Sequence, residues 1–209
     1  MSMISKTVTA IAFASAASFA NANLLTNGDF EANVGLSGTS WGVYQSIDGW
    51  NKFDGPGIEI QRNTVIAAQS GNQYVELDSH YNSSMYQEIS GLTVGGAYEL
   101  SFWYHARTNN GYNDNGINVY WGDYLPGDVA VSIDGMKQVN TPGWIEQTVK
   151  LVASAETMFL MFAATGYSNS LGGFVDNVSL TAVPEPGTLA LFGLGLMGLV
   201  LARRQQKAA

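Results

Sequence analysis

A chain of 209 residues without a single cysteine has room for one sizeable core, and it excludes disulfides, zinc–cysteine sites and thiol nucleophiles. Its net charge of −8 is unevenly placed: the stretch from Asn23 to Val183 holds five basic against sixteen acidic side chains, and the other basic residues lie near the two ends. So acidic a middle repels phosphate backbones, which excludes nucleic acid as a partner, and it suits a hard cation such as calcium.

In chain order, Lys6 and the small, apolar run TVTAIAFASAASFA come first, followed by the A-x-A step Ala20-Asn21-Ala22. They predict an export-signal helix over 1–22, a mature start at Asn23, and the Sec translocon and signal peptidase as first partners. The competing reading, a buried helix, gives no reason for small residues at peptidase spacing.

From 23 to 182 the texture is all-β. Short alternating runs are separated by Gly, Asn, Asp and Ser, and none keeps a 3.6-residue apolar period. The pattern predicts strands near 24–31, 40–50, 58–63, 73–78, 84–90, 97–107, 115–121, 143–153, 157–165 and 173–182. In YELSFWYHAR, Tyr98, Leu100, Phe102, Tyr104 and Ala106 point to one side, and Glu99, Ser101, Trp103, His105 and Arg107 to the other. One set packs a core and the other forms a polar face, as in a strand of a two-sheet sandwich. Gly95-Gly96 reads as the hairpin turn before it.

Trp103 on that polar face, beside His105 and Arg107, has the chemistry of a sugar site: an aromatic platform for the apolar face of a pyranose and hydrogen-bonding groups for its rim. The competing reading is an aromatic partly buried between the sheet and a loop. Tyr120 and Trp121 extend the carbohydrate-binding set, Trp50 and Tyr124 are further aromatic candidates, and Trp41 and Trp144 read as structural. Glu76 and Asp78 in YVELD are two apart, about 7 Å on one strand face, which admits an inverting hydrolase pair. They also fit an ordinary solvated face opposite Val75 and Leu77. NNGYNDNG, with Asp114 as its one acid, reads as a flexible surface loop rather than a calcium loop. Asp176, in GGFVDNVSL, alternates in phase with Phe174, Val178 and Leu180, the inward face. A carboxylate there needs a partner, either a metal ion or backbone N–H groups that it caps.

The chain closes on AVPEPGTLALFGLGLMGLVLARRQQKAA. Its Gly193, Gly195 and Gly198 spell G-x-G-x-x-G, but a Pro-Glu-Pro-Gly turn stands where a strand should, which rules out a dinucleotide loop. Thr188 to Ala202 is an uncharged stretch of fifteen residues, about 22 Å as a helix. It reads as a single, short transmembrane helix completed by Arg203 and Arg204 in the tail 203–209.

Val183-Pro184-Glu185-Pro186-Gly187, the short span and the arginine pair resemble, in that order, the PEP-CTERM sorting signal of Gram-negative bacteria. The resemblance implies an exosortase as partner, an inner-membrane intermediate, then release to the cell surface or matrix, in proteins tied to exopolysaccharide and biofilm. The region 23–182 resembles galactose-binding-like jelly rolls, among them carbohydrate-binding modules of the family 4, 9, 16 and 22 type and DUF642-type cell-wall proteins. The likeness is carried by NLLTNGDFE, GNQYVELDSH, SSMYQEISGLTVGGAYELSFWYHAR and GGFVDNVSL, in that order. It implies a jelly-roll β-sandwich and a structural calcium at Glu31 and Asp176. The functional expectation is a non-catalytic protein that binds extracellular polysaccharide or builds its matrix. The alternatives are a glycan hydrolase using Glu76 and Asp78, or a matrix protein with no glycan site.

Overall fold

The computed structural model of the chain describes residues 22–32, 35–110, 112–133 and 143–184, with Gly195 and Gly198. The export signal (apart from Ala22), the span 188–202 (apart from those two glycines), and Glu185, Pro186, Gly187, Arg203 and Arg204 lie outside the described residues. Among the described residues no helix is long and apolar enough to cross a membrane.

Among the described residues twelve strands follow one another: β1 (Ser40–Tyr44), β2 (Ser46–Ile47), β3 (Trp50–Asp54), β4 (Ile58–Arg62), β5 (Gln73–Glu76), β6 (Ser84–Ser90), β7 (Ala97–His105), β8 (Ile117–Gly122), β9 (Asp128–Ile133), β10 (Ile145–Val152), β11 (Thr157–Ala164) and β12 (Phe174–Ala182). They form two six-stranded sheets, in the orders β1-β4-β5-β12-β7-β10 and β2-β3-β6-β11-β8-β9. The protein is an all-β sandwich of jelly-roll type.

Period-two alternation builds the core. Tyr98, Leu100, Phe102, Tyr104 and Ala106 are all buried. Opposite them on β12 and β10 stand Val175, Leu180, Val149 and Leu151. The second sheet contributes Met85, Leu160, Phe162, Val119 and Trp121. The layers meet through Phe102 and Phe162, whose rings lie edge to face at 5.1 Å, and Trp50 packs on Phe162 at 6.0 Å.

Several sequence expectations change. Residues 24–31 form no strand but a chain of bends and turns, with Asn27 and Phe30 at positive φ. This segment lies beside β12, where Leu24 N–H donates to the Leu180 carbonyl and Val178 N–H to that of Gly28. Gly28 is required there, because a Cβ would sit 2.0 Å from the Val178 oxygen. The predicted strand 40–50 breaks at Gln45 into β1 and β2, which belong to different sheets. Strands β3 and β9 were not anticipated. Gly95-Gly96 does make a tight turn, with Gly96 N–H donating to the Thr93 carbonyl, but β6 and β7 lie in opposite sheets, so it joins layers rather than closing a hairpin. NNGYNDNG is no free loop. It carries the short helix α1 (Tyr112–Asn115), and Asp114 and Asn115 are buried. Asp114 accepts from Thr108 Oγ1 and from the Asn110 and Asn169 amides.

The most consequential change lies in β12. Phe174 and Asp176 pair with His105 and Trp103 on the outer face of the first sheet, and a register shift between Asp176 and Ser179, with Asn177 at φ 47°, then reverses the phase. Val178 and Leu180 thus point into the core while Phe174 and Asp176 do not. Simple alternation missed the bulge, which adds one residue to the strand.

Candidate functional site

The outer face of the first sheet is assembled from alternate residues of neighbouring strands. Cross-strand register places Trp41 beside Gln61, Glu59 beside Glu76, Gln61 beside Tyr74, and Phe174 beside both Glu76 and His105. Loops rise around this face and leave a cavity of about 330 Å³, walled by Trp41, Glu59, Gln61, His80, Arg107 and Ser170 among others. That volume is at the lower end for a small-ligand site.

Trp41 stands at the wall, half exposed, with the His80 ring edge-on to it at 6.2 Å. Behind the wall is a connected polar network. Gln61 Nε2 donates to Glu59 Oε1 at 2.9 Å and also to Glu76 Oε2, while Gln61 Oε1 accepts from the Tyr74 hydroxyl at 2.9 Å. Glu76 is wholly buried; its Oε1 takes the Arg107 guanidinium and the Gly172 N–H. Arg107 also donates to the Ser170 carbonyl, and its guanidinium lies 5.9 Å from the centre of the Phe174 ring. Burial, and then the charge of Glu59, push the Glu76 carboxyl up to about 8, against the pull of Arg107. Burial raises Glu59 as well.

Of the residues singled out for sugar binding, the structure brings only Arg107 to this cavity. Trp103 is on the same face but partly covered, and it does not line the cavity. His105 is buried at 6 % exposure between the rings of Trp144 and Phe174. Trp121 faces the core at 7 % exposure, its indole N–H bonded to the Val152 carbonyl. Its neighbour Tyr120 points out of the opposite sheet, where it lines a different, shallower hollow with Phe53. Trp50 is fully buried, and exposed Tyr124 bonds to Asp128. Trp41, read from sequence as structural, is the tryptophan that lines the cavity.

Glu76 and Asp78 share no solvated face. Both are wholly buried. Asp78 Oδ2 holds the 168–172 loop through the Asn169 and Ser170 N–H groups at 2.9 and 3.1 Å. Neither carboxylate lines the cavity.

Asp176 and Glu31 lie by the 69–73 turn. Asp176 Oδ2 accepts from Gln69 and Ser70 N–H at 2.8 and 3.0 Å, and Oδ1 from Asn177 N–H at 2.6 Å. Glu31 Oε1 accepts from Asn72 and Gln73 N–H, each at 2.6 Å. Gly71, at φ +62°, admits this approach, since a Cβ there would meet Glu31 Oε1 at 2.5 Å. Burial raises the Asp176 carboxyl to about 7, although its three N–H donors pull it down. The arrangement is that of two caps on one turn, and among the described residues no third acidic or histidine side chain stands with these two to hold a metal ion.

Residues 182–205 match the PEP-CTERM protein-sorting motif. Over 158 residues, 75 % of its length, the chain is 32 % identical to a multifunctional-autoprocessing repeats-in-toxin protein of Vibrio vulnificus. The chain spans only 3 % of that curated relative, and 3 % of its counterpart in Vibrio cholerae. Among solved structures it is similar to TmCBM61, determined with β-1,4-galactotriose (19 % identity, TM-score 0.54, covering 78 % of this chain and 99 % of that one). It is also similar to the Stig cyclase Fisc of Fischerella sp. TAU, determined with a pyrrolidinylidene-indole (15 %, TM-score 0.55, 78 % and 98 %). These likenesses establish a carbohydrate-binding-module-like fold. The sorting motif marks an exosortase-sorted chain, exported to the cell surface or beyond.

Proposed function

We propose that this exosortase-sorted, exported chain is a non-catalytic glycan-binding protein of the extracellular polysaccharide matrix, and that the sugar docks against Trp41 in the cavity on the first sheet. The observation that carries this reading is one exposed indole on a concave, hydrogen-bonding wall. The indole face suits the C–H face of a pyranose, while Glu59, Gln61, His80 and Arg107 offer acceptors and donors to its hydroxyls. A single platform gives little area against the entropy of association. The expected affinity is from about 10 μM to 1 mM.

A glycan array with the full chain tests it. Wild type retains at least one oligosaccharide class that Trp41→Ala does not. Retention of the same glycans by both would remove the cavity from the account. On this reading sorting takes place at the inner membrane, with release into an exopolysaccharide or biofilm matrix to follow.

Two other readings remain open to experiment. A purely structural matrix role predicts a blank array. A structural calcium at Glu31 and Asp176 predicts a melting temperature that falls on chelation. Hydrolysis by Glu76 and Asp78 has no support in the geometry, since neither carboxylate lines the cavity and both are bonded to protein groups of its wall.

A further inference from the structure

Two buried acids, Glu59 and Glu76, face each other across β4 and β5, and Gln61 Nε2 donates to both. One cation, Arg107, stands against them, and it is ion-paired to Glu76 rather than Glu59. Glu59, at 4 % exposure, lines the cavity, and among the described residues no cation is in ion-pair contact with it. Ser79, a second polar group on the wall, is 5 % exposed, and its hydroxyl has no hydrogen-bond partner. A buried hydroxyl with no protein partner in a cavity wall is free to bond a ligand hydroxyl. The third wall element is the exposed face of Trp41, which attracts a cation as well as a sugar ring. The chain as a whole carries a net charge of −8, which disfavours polyanionic glycans before they dock.

We infer that the glycan this cavity selects carries a protonated amine, as in a 2-amino-2-deoxy-hexose unit, with the ammonium on Glu59, its neighbouring hydroxyl in reach of Ser79 and the ring against Trp41. The inference rests on the reading that the cavity takes a glycan and adds the charge of that glycan. Arg107 does not take the ammonium's place, because its hydrogen bonds go to Glu76 and to the Ser170 carbonyl rather than to Glu59. The titratable and charged groups facing the pair are Arg107, His80 and Tyr74.

The test is calorimetric titration of the full chain, held in mild detergent near pH 6.5, with glucosamine, N-acetylglucosamine, galactose and galacturonate oligomers of equal length. Wild type should bind the glucosamine oligomer about tenfold tighter than its N-acetylated counterpart. Glu59→Gln, which keeps size and hydrogen bonding, should bring the two within about twofold. Equal or tighter binding of the acetylated, neutral or acidic oligomer would overturn the inference while leaving a Trp41-dependent glycan site standing. An amine preference that survives in Glu59→Gln, with an unchanged melting temperature, would also overturn it. If no oligomer binds, the inference and the glycan reading fall together.

Discussion

Two carboxyl groups hold their protons unusually tightly. An acid whose folded pKa lies above its unfolded value stabilises the fold fully below the unfolded value, and that contribution is lost as pH rises to the folded one. For Glu76 the window runs from 4.5 to about 8, and for Asp176 from 3.8 to about 7. His105, lowered by burial from 6.5, works in the opposite direction below that value, so the clean window is above it. The melting temperature should fall between pH 6.5 and 8 and level off beyond, and Glu76→Gln should flatten the decline. A wild-type curve that is level or rising across this window would show that the Glu76 proton is not held as described.

At the scale of elements, the long-range cap holds the site's surroundings in place. Asp176, on the bulge of β12, fixes the 69–73 turn that leads into β5, and β5 carries Tyr74 and Glu76 to the site. Asp176→Ala leaves the Gln69 and Ser70 N–H groups without acceptors, at a cost of about 1–3 kcal/mol. Chelator should leave the wild-type melting curve unchanged. A drop of several degrees on chelation, absent in Asp176→Ala, would install calcium in place of the caps. The elements explain what could be read from sequence. Strand β7 was legible face by face because its inward residues all meet the core, although its outer face is covered at Trp103 and His105. Strand β3, WNKFD, carries an asparagine, a lysine and an aspartate and lies near the sheet margin, so its pattern is diluted. Strand β9 is an edge strand, its Val129 exposed, and buries too little to alternate cleanly. Segment 24–31 alternates on paper, but its apolar residues Leu25 and Phe30 are delivered to the core by turns. The cavity was least legible. Its wall comes from β1, β4 and the segments that follow β5, β7 and β11, brought together by non-local pairing that no local pattern encodes.

On the scale of the whole molecule, the sandwich runs into its address label without a linker. Strand β12 ends at Ala182, and the first motif residue, Val183, still donates its N–H to the Ala97 carbonyl. The start of the motif is thus held against the folded domain. Changing Pro184, Glu185 and Pro186 together to alanine should leave an inner-membrane precursor in a host with the matching exosortase. Normal processing and release of that variant would separate export from the motif.

The central claim is that a glycan docks on Trp41 rather than on the tryptophan that the sequence pattern favours. Its most direct measurement is the affinity of the best glycan from the array for wild type, Trp41→Ala and Trp103→Ala, with the melting temperature of each. The account predicts loss of about tenfold or more in Trp41→Ala, with the fold intact because the ring is half exposed, and near wild-type binding in Trp103→Ala. Binding kept by Trp41→Ala and lost by a stably folded Trp103→Ala would contradict it.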